Sequence, residues 1–215
     1  AFSIANLDSS HIARYRDQQA KLRSAQTVVH DLNLLNRVLK ICEMEWNIPL
    51  PRGLATARVR KPKLPQGRDR RLARDENNNC VEEAFLLETA EQFGAFGPSY
   101  RRLIVFALET AMRRNEILGM EWQHITFSSK VVFLPHTKMG IPRKVPLSER
   151  ALQVLQEIGP QESGPVWLIS KNEEMPKILS GNTVTQAFAD ICKVARIEDL
   201  TFHDLRHEAV SRLFE

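Results

Sequence analysis

Apolar residues follow a helical rhythm through most of the chain and shift to a strand rhythm only near its middle. Between Ser24 and Trp46, the residues Val28, Leu32, Leu35, Leu39, Cys42 and Trp46 recur at alternating steps of four and three. That spacing sets them in one stripe of a helix. Leu34, Val38 and Ile41 widen the stripe, so this helix is expected to pack against more protein than its one short predecessor, HIARYRDQQAKL. Asp8, Ser9 and Ser10 are candidate caps for the shorter helix, and Pro49 and Pro51 stop the longer one. Further on, Asp75 or Asn77–Asn79 is expected to cap a helix through VEEAFLLETAEQF, ended by Gly94 and Gly97. Pro98 opens another through SYRRLIVFALETAM, and after a tight break Asn115 begins a short one. VVFLPHT and RKVPL read as two strands of a hairpin turning around Met139-Gly140. Ser148 caps ERALQVLQEI, VWLIS is a short strand, and helices cover Thr183 to Arg196 and Phe202 to Glu215. The predicted class is mainly α with a small antiparallel β-sheet (α+β).

Charge divides this pattern. Net charge is only +4, yet PRGLATARVRKPKLPQGRDRRLAR, residues 51–74, holds nine basic residues against the single acid Asp69. Its prolines and glycines rule out a long helix and predict an extended basic linker suited to running along phosphates. The expected organisation is a partial helical domain at 1–51, a linker at 52–73 and a second domain at 74–215. Arg60, Lys61, Lys63, Arg68, Arg70 and Arg71 are the candidate DNA contacts. Cys42, Cys80 and Cys192 are far apart and form no CxxC pattern, which argues against a disulfide framework or a zinc site and for a reducing cytoplasm. No apolar run approaches the roughly 20 residues that a membrane helix needs.

Four cationic residues in three separated stretches carry the candidate chemistry: Arg113 in TAMRRNE, Lys138 in HTKMGIPRKVPLS, and His203 with Arg206 in FHDLRH. No glycine-rich phosphate loop, carboxylate pair or cysteine nucleophile accompanies them. Two arginines, a lysine and a histidine suit a phosphodiester whose negative charge grows during reaction. Glu116 lies three residues after Arg113, on the same face of a helical turn, and is a candidate to orient it. His207, one turn after His203, can point to the same spot. The i, i+4 histidines also match the spacing of zinc proteases. That reading puts Asp204 in place of the longer glutamate, an arginine among the ligands and no third ligand in view, so it is disfavoured.

The order Arg–Glu, hairpin Lys, His-x-x-Arg resembles the tyrosine recombinase (phage integrase) family. LETAMRRNEILGMEWQHI is similar to the segment with the family's first arginine, TKMGIPRKVPLS to its hairpin-lysine segment, and LTFHDLRHEAVSRLFE to its His-x-x-Arg helix. RKPKLPQGRDRRLARDE and TVVHDLNLLNRVLKICEMEWNI resemble the approach to its catalytic domain and the last helix of its core-binding domain. Within the family, IEDLTFHDLRHEAVSRLFE and LETAMR most resemble the shufflon-type DNA invertases. Ala111 departs from the usual glycine.

The resemblance implies a recombinase catalytic fold preceded by a partial core-binding domain. It further implies cleavage and rejoining of double-stranded DNA through a 3′-phosphotyrosyl link, with no cofactor or metal. Arg113 and Arg206 would hold the phosphate, Lys138 would protonate the departing 5′-oxygen and His203 would assist. Only Tyr15 and Tyr100 occur, both upstream of these stretches, and the sequence stops nine residues after Arg206. The expectation is therefore a chain cut at both ends, lacking the nucleophilic tyrosine and inactive alone. A tetramer on paired sites is implied for the whole protein and a monomer for this chain, in a bacterial cytoplasm at the nucleoid, with no membrane partner. The alternative is a non-catalytic DNA-binding regulator or decoy on the same fold.

Overall fold

A computed structural model describes residues 3–137, 140–169 and 177–214. The chain divides into two compact units, Ala1–Gly67 and Arg68–Glu215.

In the first unit, helix α1 (Ser9–Ala20) starts where the Asp8 carboxylate accepts the amides of Ser10 and His11. Helix α2 (Ala25–Met44) starts where Ser24 Oγ accepts the Thr27 amide. Such N-caps satisfy donors that have no partner within the helix. Val28, Leu32 and Leu39 of the α2 stripe are buried with Ile12 of α1 and with Ala55. Leu34, Val38 and Trp46 stay exposed. The expected extended linker starts later than its composition suggests. Leu54 and Val59 also pack on this core, and Thr56 Oγ1 donates to Asn36 on α2 at 2.7 Å. Apolar side chains among the prolines and arginines fold that stretch back onto α2.

The second unit is built around α4 (Gly97–Thr110), whose residues 103–108 are all buried. Helices α3 (Val81–Glu91), α6 (Glu149–Ile158) and α8 (Phe202–Arg212) pack against it, and α7 (Gly181–Val194) lies against α3 and α8. Between α4 and α6 come the short α5 (Arg114–Leu118) and an antiparallel sheet of β1 (Ile125–Thr126), β2 (Val131–Leu134) and β3 (Arg143–Pro146). Val132 faces Val145 across the β2–β3 pair, both buried. A second antiparallel pair joins β4 (Leu168–Ile169) to β5 (Lys177–Ile178). The expected cap of α3 does not form. Cys80 stands at that position without a side-chain bond, while Asp75 closes its own turn by accepting the amides of Asn77 and Asn79. Such side-chain-to-backbone bonds compete with capping. Among the described residues no helix is long and apolar enough to cross a membrane.

Candidate functional site

The site begins where α4 ends. Ala111 adopts a left-handed conformation (φ 50°), and this turn places Arg113 at the N-cap of α5. Glu116, buried one turn on, accepts the Arg113 backbone N–H at 2.9 Å and its guanidinium Nη1 at 2.8 Å. Arg143 reaches over from β3 and donates Nη2 to the same carboxylate at 2.7 Å. Burial pushes the Glu116 carboxyl pKa up, but the hydrogen bonds from Arg113 and Arg143 outweigh it and hold the group below its ordinary value. Glu116 is therefore an anionic bracket that fixes two arginines from two elements.

Helix α8 brings the other cations. Asp204 at its third position accepts both the amide and the hydroxyl of Thr201, at 2.8 and 2.7 Å, which fixes the start of the helix. His203 and Arg206 lie on one face. Arg206 donates Nη1 to the Ala111 carbonyl, so the two catalytic candidates 93 residues apart in sequence, Arg113 and Arg206, meet at the same turn. Burial and then repulsion from Arg113 and Arg143 lower the Arg206 pKa. His203 is lowered as well, by burial and by His207 and Arg206. The rings of His203 and His207 meet edge to face at 5.0 Å. Arg113, Arg114, Glu116, His136, Thr201 and His203 line a single open cleft. Lys138 lies outside the described residues.

The opposite face of α8 is acidic and buried. Glu208 accepts Arg71 Nε at 2.6 Å, the Leu72 amide at 3.1 Å and Arg212 Nε at 2.7 Å. Asp204 accepts Arg68 Nη2 at 2.9 Å, and Arg68 also bonds Asp199. Arg70 is paired with Glu82. Of the candidate DNA contacts, Arg68, Arg70 and Arg71 thus have carboxylate partners inside the second unit. Arg60, Lys61 and Lys63, exposed on the first unit, have no ion pair among the described residues. Lys61 rests on Asn33 at 2.7 Å.

Charge composition marks a basic strap, but it does not show which of its charges are already neutralised by acids more than 100 residues away. The sequence reading also passed over Arg143, Arg114, His136 and Glu208. Arg143 stands in the same TKMGIPRKVPLS segment as Lys138, and that proximity was the available signal. Among the described residues no group of three or more His, Cys, Asp or Glu side chains is placed to hold a metal ion. Asp204 is taken up by Thr201 and Arg68 rather than facing His203 and His207.

Residues 81–215 match the model of the phage integrase family. A shufflon-specific DNA recombinase of Escherichia coli is 36% identical over 219 residues, covering 99% of this chain and 50% of the relative. The integrase of Salmonella phage P22 is 26% identical, covering 91% of this chain and 49% of its own length. The chain thus spans about half the length of these curated relatives. Among solved structures, the Tn1549 transposon integrase in complex with circular intermediate DNA matches with a TM-score of 0.75 at 18% identity, over 99% of this chain and 74% of that one. A lambda integrase tetramer bound to a Holliday junction matches with a TM-score of 0.71 at 18% identity, over 98% and 60%. At such identities the agreement is one of fold.

Proposed function

The chain belongs to the phage integrase family of site-specific DNA recombinases, and on that footing we propose that its cleft holds the scissile phosphate during cleavage through a 3′-phosphotyrosyl intermediate. One observation carries the reading: Arg113 and Arg206 meet at the Ala111 turn beside His203. Arg206 has no carboxylate partner among the described residues, so its positive charge is available to an anion.

In the proposed step a tyrosine oxygen attacks phosphorus, the bond from phosphorus to the 5′-oxygen breaks, and the charge gathered on the non-bridging oxygens is met by the two guanidinium groups. The tyrosine proton leaves toward His203, whose depressed pKa keeps the imidazole neutral and able to accept it near pH 7. Lys138 delivers a proton to the departing 5′-oxygen. Glu116 holds Arg113 in place.

The attacking tyrosine is proposed to lie outside these 215 residues. Tyr100 is buried against Phe93, and burial raises its pKa. Tyr15 belongs to the other unit and donates to Asp31 at 2.9 Å. Neither is suited to attack. Double-stranded DNA is the proposed substrate, paired sites held by a tetramer the proposed assembly of the whole protein, and the bacterial nucleoid its proposed location. This chain alone is proposed to bind DNA without cutting it.

The test is a suicide DNA substrate that traps the covalent protein–DNA link. In the whole recombinase, Arg113→Gln and Arg206→Gln should each slow trapping by about 100- to 1,000-fold, as the loss of one electrostatic donor does elsewhere. Trapping at wild-type rate by either variant overturns the assignment of the cleft. A covalent adduct formed by the 215-residue chain itself overturns the placement of the tyrosine.

A further inference from the structure

The cleft extends past Arg113 to a second arginine that the proposed chemistry does not use. Arg114 follows Arg113 directly, yet the two side chains are anchored on opposite sides. Arg113 is held by Glu116, which also binds Arg143 of β3, whereas Arg114 is held toward α7. Its Nη1 donates to Thr185 Oγ1 and its Nε donates to Asn115 Oδ1 at 3.2 Å. The Thr185 hydroxyl in turn donates to the Gly181 carbonyl at 3.1 Å, so its lone pairs face the guanidinium. Both acceptors are neutral. Unlike Arg113, Arg114 has no ion pair among the described residues.

The backbone also makes room for this side chain. A Cβ added at Gly181 would lie 2.8 Å from Arg114 Nη2 and 3.0 Å from Cζ. The guanidinium therefore lies close against the first residue of α7, and a larger residue there would require it to shift. Arg113, Arg114 and His203 line one cleft, and the acid among its described lining residues, Glu116, is already shared by Arg113 and Arg143, so the charge of Arg114 is left unmatched there. Such a cleft is relieved by an anion that is itself extended. A DNA strand, with one phosphate per nucleotide, meets that requirement.

We propose that Arg114, braced by Thr185 and Asn115 over Gly181, is a binding site for the DNA phosphodiester adjoining the one held by Arg113 and Arg206. This assignment rests on the proposed function of the cleft. Separate anchors for consecutive arginines put their guanidinium groups at two anion positions instead of one. The contact is to backbone phosphate, so it adds affinity equally on all sequences and no base preference.

The test titrates the 215-residue chain against a random-sequence 30-base-pair duplex between 50 and 200 mM NaCl. Each phosphate neutralised contributes about 0.9 to the slope of log affinity against log salt, which over this fourfold range is roughly a 3.5-fold change. R114Q should therefore lower the slope by about 0.9, shrinking the affinity ratio across the range by about 3.5-fold. R114K, which keeps the charge, should retain most of the wild-type slope. G181A, whose added methyl must shift the guanidinium, should reduce affinity, and the double variant with R114Q should bind no more weakly than R114Q alone. Far-UV circular dichroism identifies any variant that fails to fold, and G181A then serves in place of R114Q. A wild-type slope in folded R114Q overturns the site, as does full additivity of G181A and R114Q. A wild-type chain that binds no duplex at 50 mM salt overturns the proposed function instead, which separates the two failures.

Discussion

Replacing Glu208 by glutamine should destabilise the second unit by about 3 kcal/mol at pH 7, and the loss should fade as the solution is acidified. The Glu208 side chain is fully buried. Burial pushes its carboxyl up, but Arg71, Arg212 and the Leu72 amide more than reverse this and bring the pKa down from 4.5 to about 2. A fall from 4.5 to about 2, at about 1.4 kcal/mol for each tenfold change in the proton equilibrium, gives roughly 3–4 kcal/mol favouring the ionised, folded state. Removing one partner of a buried ion pair costs about 3–5 kcal/mol by mutation. Glutamine keeps an acceptor for the Leu72 amide, so the lower end is expected.

The sign follows from the direction of the shift. The folded-state pKa is depressed, so the stabilisation is complete above the unfolded value near 4.5 and is lost as pH falls through about 2. Urea denaturation followed by tryptophan fluorescence reads this unit directly, because Trp122 and Trp167 are buried in it while Trp46 is exposed on the other. The wild type should lose stability between pH 5 and pH 2 more steeply than E208Q, and the two curves should converge near the acid end. A difference below about 0.5 kcal/mol at pH 7, or a gap that persists unchanged into acid, would refute the assignment of Glu208 as the charged anchor of residues 71–74.

Two smaller predictions concern the site itself. Ala111→Gly should raise stability by roughly 0.5–1 kcal/mol, seen as a higher midpoint in thermal melts. The left-handed conformation costs a non-glycine residue about 1–2 kcal/mol, and glycine's greater freedom in the unfolded chain returns part of the gain. His203, followed by NMR of its ring protons, should titrate below the ordinary 6.5, and His207→Asn should move that titration upward by removing one of the repelling neighbours. No movement would mean that burial and the two arginines, Arg206 and Arg113, set it without His207.

The elements were legible where the hydrophobic period was long and the end signals strong. The Ser148 cap and the proline-led start of α4 form as read, and the α2 stripe does so from Val28 to Cys42, whereas Trp46 lies past the end of the helix and is exposed. What escaped was set by partners distant in sequence. Nothing near Asp75 says that its carboxylate will close a local turn and leave α3 uncapped. Nothing near Arg71 says that its guanidinium meets an acid 137 residues away. The candidate site was readable as a set of residue types because phosphate chemistry demands cations. Its geometry depends on Ala111, whose carbonyl and left-handed turn bring Arg113 and Arg206 to one place. Only the folded backbone displays that arrangement.

The same distinction divides the basic strap into a paired and an unpaired half. Arg68 and Arg71 are neutralised by Asp204 and Glu208, carboxylates on the face of α8 opposite His203 and Arg206. A guanidinium held by a buried acid cannot be drawn to a phosphate without taking away part of what compensates that acid's burial, at a cost in stability. Exposed Lys61 and Lys63 face no such cost, because Lys61 has only the neutral Asn33 and neither has an ion pair among the described residues. Changing Lys61 and Lys63 together to glutamine should therefore lower the salt slope of DNA binding by up to about 1.8 and leave the unfolding curve of the second unit unmoved. Arg71→Gln should do the reverse, destabilising that unit while keeping the slope within about 0.3 of wild type. If Arg71→Gln instead removes a full phosphate's worth of slope, the strap releases α8 when it engages DNA, and its charges are exchanged between the two partners rather than divided between them.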